Sequence, residues 1–312
     1  MTDLVCVGEI LIDLTQTGVT EQGVPLLAAN PGGAPANVAV AAARLGVRTA
    51  FLGKTGCDGF GAYLARVLRE NGVDVSGLRT GSEATTLAVV TIDPTGERSF
   101  RFVRGADRSF SPEDVSVHLL EQTKALHFGS VSLTGGPARA ATLFAAREAR
   151  RLGLLVSYDP NYRASLWEAE AEAVQWMRTP LPLVDVLKLS EEELPLLTGV
   201  SDWEKGTRLL EEQGVRLQFL TLGEKGVFCR FGGQSALIPG VAVHVADTNG
   251  AGDTFLGAML SRLLPLGPHP LDALDFDTVR EIAAFANRAA ALTCSRSGAI
   301  PAMPSLAELS EG

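Results

Sequence analysis

Along this chain, short apolar runs alternate with longer stretches in which hydrophobic residues recur every three or four positions. Runs at 4–12, 48–52, 124–128, 154–158, 183–188 and 216–221 are short and rich in Val, Leu, Ile and Phe, which suits buried strands. Helical periodicity fills 36–45, 59–71, 137–151, 166–178, 190–197, 202–213, 251–264 and 278–294. Strands separated by helices predict βαβ units, a mostly parallel sheet and helices on both of its faces. No internal repeat or low-complexity linker interrupts the pattern, and the tail AMPSLAEL finishes the main unit.

One segment breaks the rhythm. TTLAVVTIDPTGERSFRFVRGAD (85–107) reads as strand, turn, strand, with DPTG as the turn. Residues 12–31 are extended and polar as well. Together the two pieces fit a small sheet standing off the main one; periodicity alone fits an ordinary edge hairpin equally well.

Two glycine clusters sit where helices are predicted to begin. In PGGAPANVAVAAARLG (31–46), Gly32 and Gly33 leave the backbone bare, so a ligand can approach it closely. Pro35 suits a first helical turn, and the Asn37 amide in that turn can both donate to and accept from a hydroxylated ligand. A tight strand-to-helix turn is the plainer alternative. In DTNGAGDTF (247–255), Gly250, Ala251 and Gly252 lead into a helix whose first turn holds Asp253. Free N–H groups at a helix start, with the macrodipole behind them, make an anion site. A cap alone needs one Asp, Ser or Thr. A carboxylate beside an anion site is costly unless it has a task, and taking a proton from an attacking hydroxyl is such a task.

Composition narrows the field. A net charge of −9 without a basic block argues against nucleic acid as a partner. Any anionic ligand must then be held by local dipoles and a few placed cations. Cys6, Cys57, Cys229 and Cys294 lie far apart with no CxxC spacing, so a reducing cytoplasm is expected instead of a disulfide or zinc framework. No apolar run reaches the roughly 20 residues of a membrane span. The beginning, MTDLVCVGEILIDL, carries Asp3 and no basic segment, and reads as a first strand. A P-loop, a GxGxxG after the first strand, GxSxG and HExxH are all missing, which disfavours the NTPases, dinucleotide folds, serine hydrolases and zincins that use them.

With both glycine clusters in hand, the chain resembles the PfkB (ribokinase-like) carbohydrate kinases over nearly its full length. GGAPANVAVAAARLG is similar to the family's N-terminal signature, and DTNGAGDTF to its D-T-x-G-A-G-D signature. LGKTGCDGFG, SYDPNYRASLW, KLSEEELPLLTG and TLGEKG resemble intermediate blocks of the bacterial fructokinase branch. The resemblance implies a single doubly wound α/β domain over 1–312, with lid strands inserted at about 13–31 and 84–107. It implies ATP-dependent phosphorylation of a sugar, fructose foremost, with 2-keto-3-deoxygluconate as the alternative acceptor. A nucleoside acceptor fits less well, since only Phe100 and Phe102 offer stacking, and a non-enzymatic sensor fits poorly with Asp253.

The same resemblance assigns roles. Asp253 would be the base, with the amides of Gly250, Ala251 and Gly252 as the anion hole. Asp13, Gly32, Gly33, Asn37, Phe102, Arg104 and Arg163 would meet the sugar. Lys188, Thr221, Gly223, Gly226, Gly252 and Asn287 would line the nucleotide. Mg²⁺ would be organised through water by Glu193; the family's N-x-x-E block has Ser190 here in place of its asparagine. Asp247 and Asn249, with the late CSRSGAIPA loop, would form a K⁺ site, and the lid would make a homodimer contact.

Other residues carry plainer expectations. Arg163 could instead pair with a nearby acid, and SEEEL (190–194) could be an acidic helix start. His127 reads as a packed residue, and Trp167 and Trp176 as packing partners on one helix.

Overall fold

A computed structural model describes residues 2–92 and 98–310. Its strands in chain order are β1 (Leu4–Val7), β2 (Leu11–Val19), β3 (Pro25–Gly32), β4 (Thr49–Gly56), β5 (Leu78–Gly81), β6 (Leu87–Ile92) and β7 (Arg98–Val103). They continue with β8 (Ala125–Gly129), β9 (Leu155–Asp159), β10 (Val186–Ser190), β11 (Leu217–Thr221), β12 (Val227–Phe231) and β13 (Gln234–Ile238). Nine form one sheet in the order β13-β12-β11-β10-β9-β8-β1-β4-β5. Pairings from β5 through β11 are parallel, and the β11–β12 and β12–β13 pairings are antiparallel, so β12 alone is reversed in this sheet.

Strands β1, β8 and β9 are buried along their whole length, as a parallel sheet covered on both faces requires. Alternate residues feed two cores. Leu4 and Cys6 join helices α1 (Ala34–Arg44) and α2 (Gly59–Glu70) on one face, while Val5 and Val7 point to the other. There they meet residues near α3 (Val117–Glu121), and α4 (Gly136–Arg151), α5 (Glu170–Arg178), α6 (Glu193–Thr198) and α7 (Trp203–Glu212). The first face is completed by α8 (Ala251–Leu263), α9 (Phe276–Cys294) and α10 (Leu306–Ser310). Strand order runs from β1 outward to β4 and β5, then restarts on the other flank with β8. Such a switch point opens a crevice at the carboxyl ends of the strands.

A second, four-stranded sheet, β3-β2-β6-β7, stands apart from the large one where the lid was expected. The segments 12–31 and 85–107 therefore build a separate sheet and not an edge hairpin of the large one. The Asp93–Gly96 turn and the Phe100 side chain lie outside the described residues.

Several boundaries differ from the sequence expectations. The run 4–12 is two strands in two sheets, broken at Gly8, whose φ of 147° few other residues adopt. A Cβ there would stand 2.8 Å from Pro35 Cγ, so the break also seats the start of α1. The 166–178 helix begins at Glu170, leaving Trp167 outside it, and the 190–197 helix begins at Glu193. Trp176 packs under the Arg139 guanidinium. The hairpin of β12 and β13 was not expected, although Gly232 and Gly233 between them have φ of 57° and 77°, the left-handed pair that a two-residue hairpin loop needs. Strand β5 was missed as well. No helix among the described residues is long and apolar enough to cross a membrane.

Helices α1 and α8 deliver the two glycine clusters to one place, and they touch through Gly257. A Cβ there would lie 2.6 Å from Ala41 Cβ and 2.9 Å from Ala42 N. Gly257→Ala must push the helices apart and is expected to cost about 1–3 kcal/mol of stability. Urea unfolding measures this; a loss under about 0.5 kcal/mol, within the range of innocuous surface changes, would mean the contact relaxes freely.

Candidate active site

The site forms where the first turns of α1 and α8 meet at the carboxyl end of the large sheet. Asn37 Nδ2 donates to Asp253 Oδ2 at 2.8 Å, joining residues 216 positions apart. The α8 cap is Gly250, in the left-handed region at φ 77°, with no side-chain hydrogen bond. Asp253 therefore does not cap its own helix. Asn37 is 5% exposed and its Oδ1 has no hydrogen-bond partner among the described residues, so an acceptor is held ready for a ligand's hydroxyl.

Burial pushes the Asp253 pKa up to about 6; the Asn37 hydrogen bond, Lys188 and Arg163 pull it down, and Asp159 adds to the rise. An ordinary or lowered pKa would also serve a base, but the enclosed cleft produces a raised one. Asp13, on β2, behaves similarly: burial brings it to about 6, Arg163 lowers it and Asp253 raises it. Its carboxylate overlies Gly32, where a Cβ would stand 2.1 Å from Asp13 Oδ2. Gly33, at φ 104°, leaves no room for a Cβ against the Glu9 carbonyl, 2.6 Å away.

Arg163 acts on both Asp13 and Asp253, and among the described residues it has no ion-pair partner. Its Nη1 donates to the carbonyls of Asn161 and Tyr162. The loop carrying it turns at Asn161, whose φ of 43° an asparagine tolerates. Arg104 is placed differently. It pairs with Asp107 at 2.6 Å and donates to Val131 O and Thr134 Oγ1. Phe102 is half-buried on β7.

On the other side of α8 lies a cleft of about 730 Å³. Thr221, Gly223, Gly226, Ala251, Gly252 and Asn287 line it, so these expected residues are brought together. Lys188 approaches from beneath: a Cβ on Gly252 would stand 3.0 Å from its Nζ. Of the expected amides, Ala251 N donates to Thr248 O at 3.3 Å, while those of Gly250 and Gly252, and that of Asp253 beside them, have no backbone acceptor among the described residues.

Lys188 Nζ lies 2.8 Å from Asp159 Oδ2, both side chains buried. Burial alone would lower the lysine's pKa, but Asp159, Glu193 and Asp253 outweigh it and hold the pKa above its ordinary value. Glu193 accepts Ser190 N at 2.7 Å and Tyr162 N at 2.6 Å, so it staples two loops; burial and Asp159 raise its pKa. Asp247 accepts Asn249 N at 3.0 Å and Gly298 N at 3.1 Å, bringing its loop to the 294–302 segment.

Sequence reasoning passed over three features. Asp159 was quoted within a motif but given no role, although an acid closing a buried strand is a signal in itself. Val241, Val243 and Val245 form an apolar side of the cleft, and their alternation was visible. Glu9 is 3% exposed beside the glycine loop. His127 is buried in β8, and burial pushes its pKa down to about 4, which keeps it neutral.

This arrangement can bind a polyanion at a helix N-terminus, hold hydroxyls opposite it, and take a proton between the two. Comparison with known proteins agrees. The model of the pfkB family carbohydrate kinases matches residues 1–306. Fructokinase-1 of Zea mays is 40% identical, across 98% of this chain and 96% of its own. The structure of a Xylella fastidiosa fructokinase with bound ATP superposes with a TM-score of 0.92 at 33% identity, covering 99% of this chain and 97% of the other. A Vibrio cholerae fructokinase double mutant, bound to fructose, ADP and potassium ion, gives 0.88 at 34%, covering 99% and 98%. The chain belongs to the pfkB family of carbohydrate kinases.

The raised pKa of Asp253 has a consequence for stability. Its folded value of about 6 lies above an unfolded value of about 3.9, so folding favours the neutral acid. That contribution is intact below about pH 4 and is lost as pH rises through about 6. Asp253→Asn is therefore expected to be more stable than the native protein at pH 8, by about 1–3 kcal/mol, and no more stable at pH 4. Thermal melts at the two pH values measure this, and equal differences at both would refute the assigned ionisation.

Proposed function

We propose that the protein transfers the γ-phosphoryl group of ATP to the primary hydroxyl of fructose, giving fructose 6-phosphate and ADP. The observation that carries the reading is the Asn37–Asp253 hydrogen bond, which joins a hydroxyl-binding helix start to an anion-binding one. The acceptor oxygen attacks the γ-phosphorus, the bond to the β,γ-bridging oxygen breaks, and Asp253 takes the hydroxyl proton. The amides at the start of α8, and Lys188 behind Gly252, offset the charge on the moving phosphoryl group. Thr221, Gly223, Gly226, Asn287 and the valines of the cleft would house the nucleotide. Asp13, Gly32, Gly33 and Arg163 would hold the sugar, with Phe102 above. Closure of the lid over the sugar would exclude water, a rival nucleophile.

Mg²⁺ would offset the phosphate charge when bound. Among the described residues no group of three or more acidic, His or Cys side chains is placed to cage it, which suits an ion that keeps its waters and leans on phosphates. Glu193, with an N–H on each oxygen, would reach it through water. K⁺ would sit by Asp247 and Asn249, where carbonyl and carboxylate oxygens offer hard donors. Val19, Val24, Leu26, Leu27 and Val103 on the lid are about half exposed, from 48% to 58%, and we assign these apolar side chains to contact with a second copy. Four unpaired cysteines agree with a cytoplasmic setting.

A sugar acid is the second acceptor to weigh, because Arg163 has no ion-pair partner among the described residues. It would want a fixed cation in the pocket, and of the two candidates Arg104 is already committed to Asp107, which leaves Arg163. A coupled ADP-release assay over fructose, other hexoses, 2-keto-3-deoxygluconate and nucleosides tests the reading. Fructose is expected to give the highest kcat/KM, with an acid limb near pH 6 from Asp253. Asp253→Asn is expected to lose about 10³-fold or more in kcat while ATP affinity stays within about threefold. No turnover with any acceptor would favour a sensor, and near-native turnover in the variant would remove the assigned base.

A further inference from the structure

Every passage of the chain between the body and the lid is marked by a buried polar group. Glu9, 3% exposed, precedes β2, and its Oε1 accepts the amide of Ala34, just beyond β3, at 3.0 Å. Thr86, 1% exposed, precedes β6; its carbonyl accepts the amide of Ile12 at 3.1 Å and its Oγ1 the amide of Gly105 at 2.7 Å. Asp107, 4% exposed, follows β7, accepts the Thr86 hydroxyl, and pairs with Arg104. Arg104 in turn holds Val131 O and Thr134 Oγ1 of the body.

The backbone there has no slack. A Cβ on Gly105 would stand 1.9 Å from Ala84 O, and Ala106 N donates to that same carbonyl at 2.9 Å. The Ile12–Thr86 hydrogen bond joins the two halves of the cluster. Among the described residues, Glu9 Oε2 and Arg104 Nε are buried without a hydrogen-bond partner. Burial raises Glu9 to a pKa of about 7; Arg104 pulls it down and Asp107 pushes it up, so Glu9 lies within Coulomb range of both. Two carboxylates and a guanidinium are an expensive way to fill a core, since apolar side chains would do so at least as stably. The hydrogen bonds that the cluster does make fix a definite geometry at the crossings, which is what buried polar groups supply better than apolar ones.

We propose that Glu9, Arg104 and Asp107 form one electrostatic joint at the base of the lid, in which Glu9 and Asp107 are positioning residues that fix the lid relative to the Gly33–Ala34 backbone. For its purpose this rests on the kinase reading above; for its existence it rests on the hydrogen bonds alone. Charge in one half of the joint sets the alignment of the other, so all the crossings move together.

The test uses the full chain with Glu9→Gln and, separately, Asp107→Asn, each of which removes a charge and keeps an acceptor. Two quantities are read: amide hydrogen exchange at Ile12, Ala34, Gly105 and Ala106, and the ratio of ATP hydrolysis to fructose phosphorylation. In both variants exchange is expected to rise at all four amides together, by about tenfold, and the hydrolysis ratio by a similar factor as water enters an ill-fitted lid. Exchange that rises only beside the substitution, at Ala34 in one variant or Gly105 in the other, overturns the joint. So does a lower Tm with an unchanged hydrolysis ratio, the mark of a merely structural role. If the native chain phosphorylates no sugar, the kinase reading fails, and the exchange pattern still decides the joint. Should Asp107→Asn not fold, Thr86→Val breaks the same link with a side chain of equal shape.

Discussion

The structure is organised around the cost of placing carboxylates close together in an enclosed cleft. Asp13, Asp159, Glu193 and Asp253 converge there; burial penalises the ionised forms of Asp13, Glu193 and Asp253, Asp253 adds to the cost at Asp13, and Asp159 adds to it at the other two. At separations of several ångströms, like charges in such a setting repel by kcal/mol and not tenths. Lys188 and Arg163 reduce the cost without removing it. The Asn37 amide fixes one carboxylate by hydrogen bond, and the peptide N–H groups of Ser190 and Tyr162 fix another. These devices keep the charges in place, and on the proposed reading Asp253, at the start of α8, is the carboxylate placed to take up a hydroxyl proton.

The fold makes that crowding possible. Parallel strands deliver their carboxyl ends to one edge, so Asp159 and Ser190 arrive from adjacent strands with Asp13 just past β1. Two helices begin at the same edge and direct unpaired N–H groups toward it. Small residues on α1 and α8 let those helices lie close enough for Asn37 and Asp253 to meet. Replacing any of these glycines changes the distance between the two halves of the site before it changes any chemistry.

Much of this was legible in the sequence because it is local. Glycine pairs ahead of an apolar helix announce a bare helix start, and alternating strand and helix periods announce the sheet. What was not legible depends on parts of the chain that meet only after folding. The partner of Asp159 is 29 positions away, that of Glu9 25 and that of Asp253 216. Arg104 was expected to meet the sugar, and its ion pair with Asp107, three residues on, could not be read from the sequence, because proximity along the chain does not say that two side chains meet. The segment holding Val241, Val243 and Val245 has strand-like alternation but pairs with no strand. Its apolar residues make the side of a cleft instead, and only the cleft gives them meaning.

The pKa of Asp253 bounds the chemistry from both directions. A carboxylate near its ordinary value is a weak proton acceptor, and one raised far above neutrality would already be protonated when substrate arrives. At about 6 it is mostly ionised at pH 7 yet a better base than a solvated carboxylate. An incoming polyphosphate would push it higher. Lys188, already beneath Gly252, and Arg163, already facing Asp13, oppose that push, which explains why two cations are kept in a site whose acceptor needs none. On this argument the cations serve first to hold the base in its working range. An uncharged sugar is the acceptor that leaves them free to do so, because an acidic one would draw Arg163 away from the carboxylates it steadies.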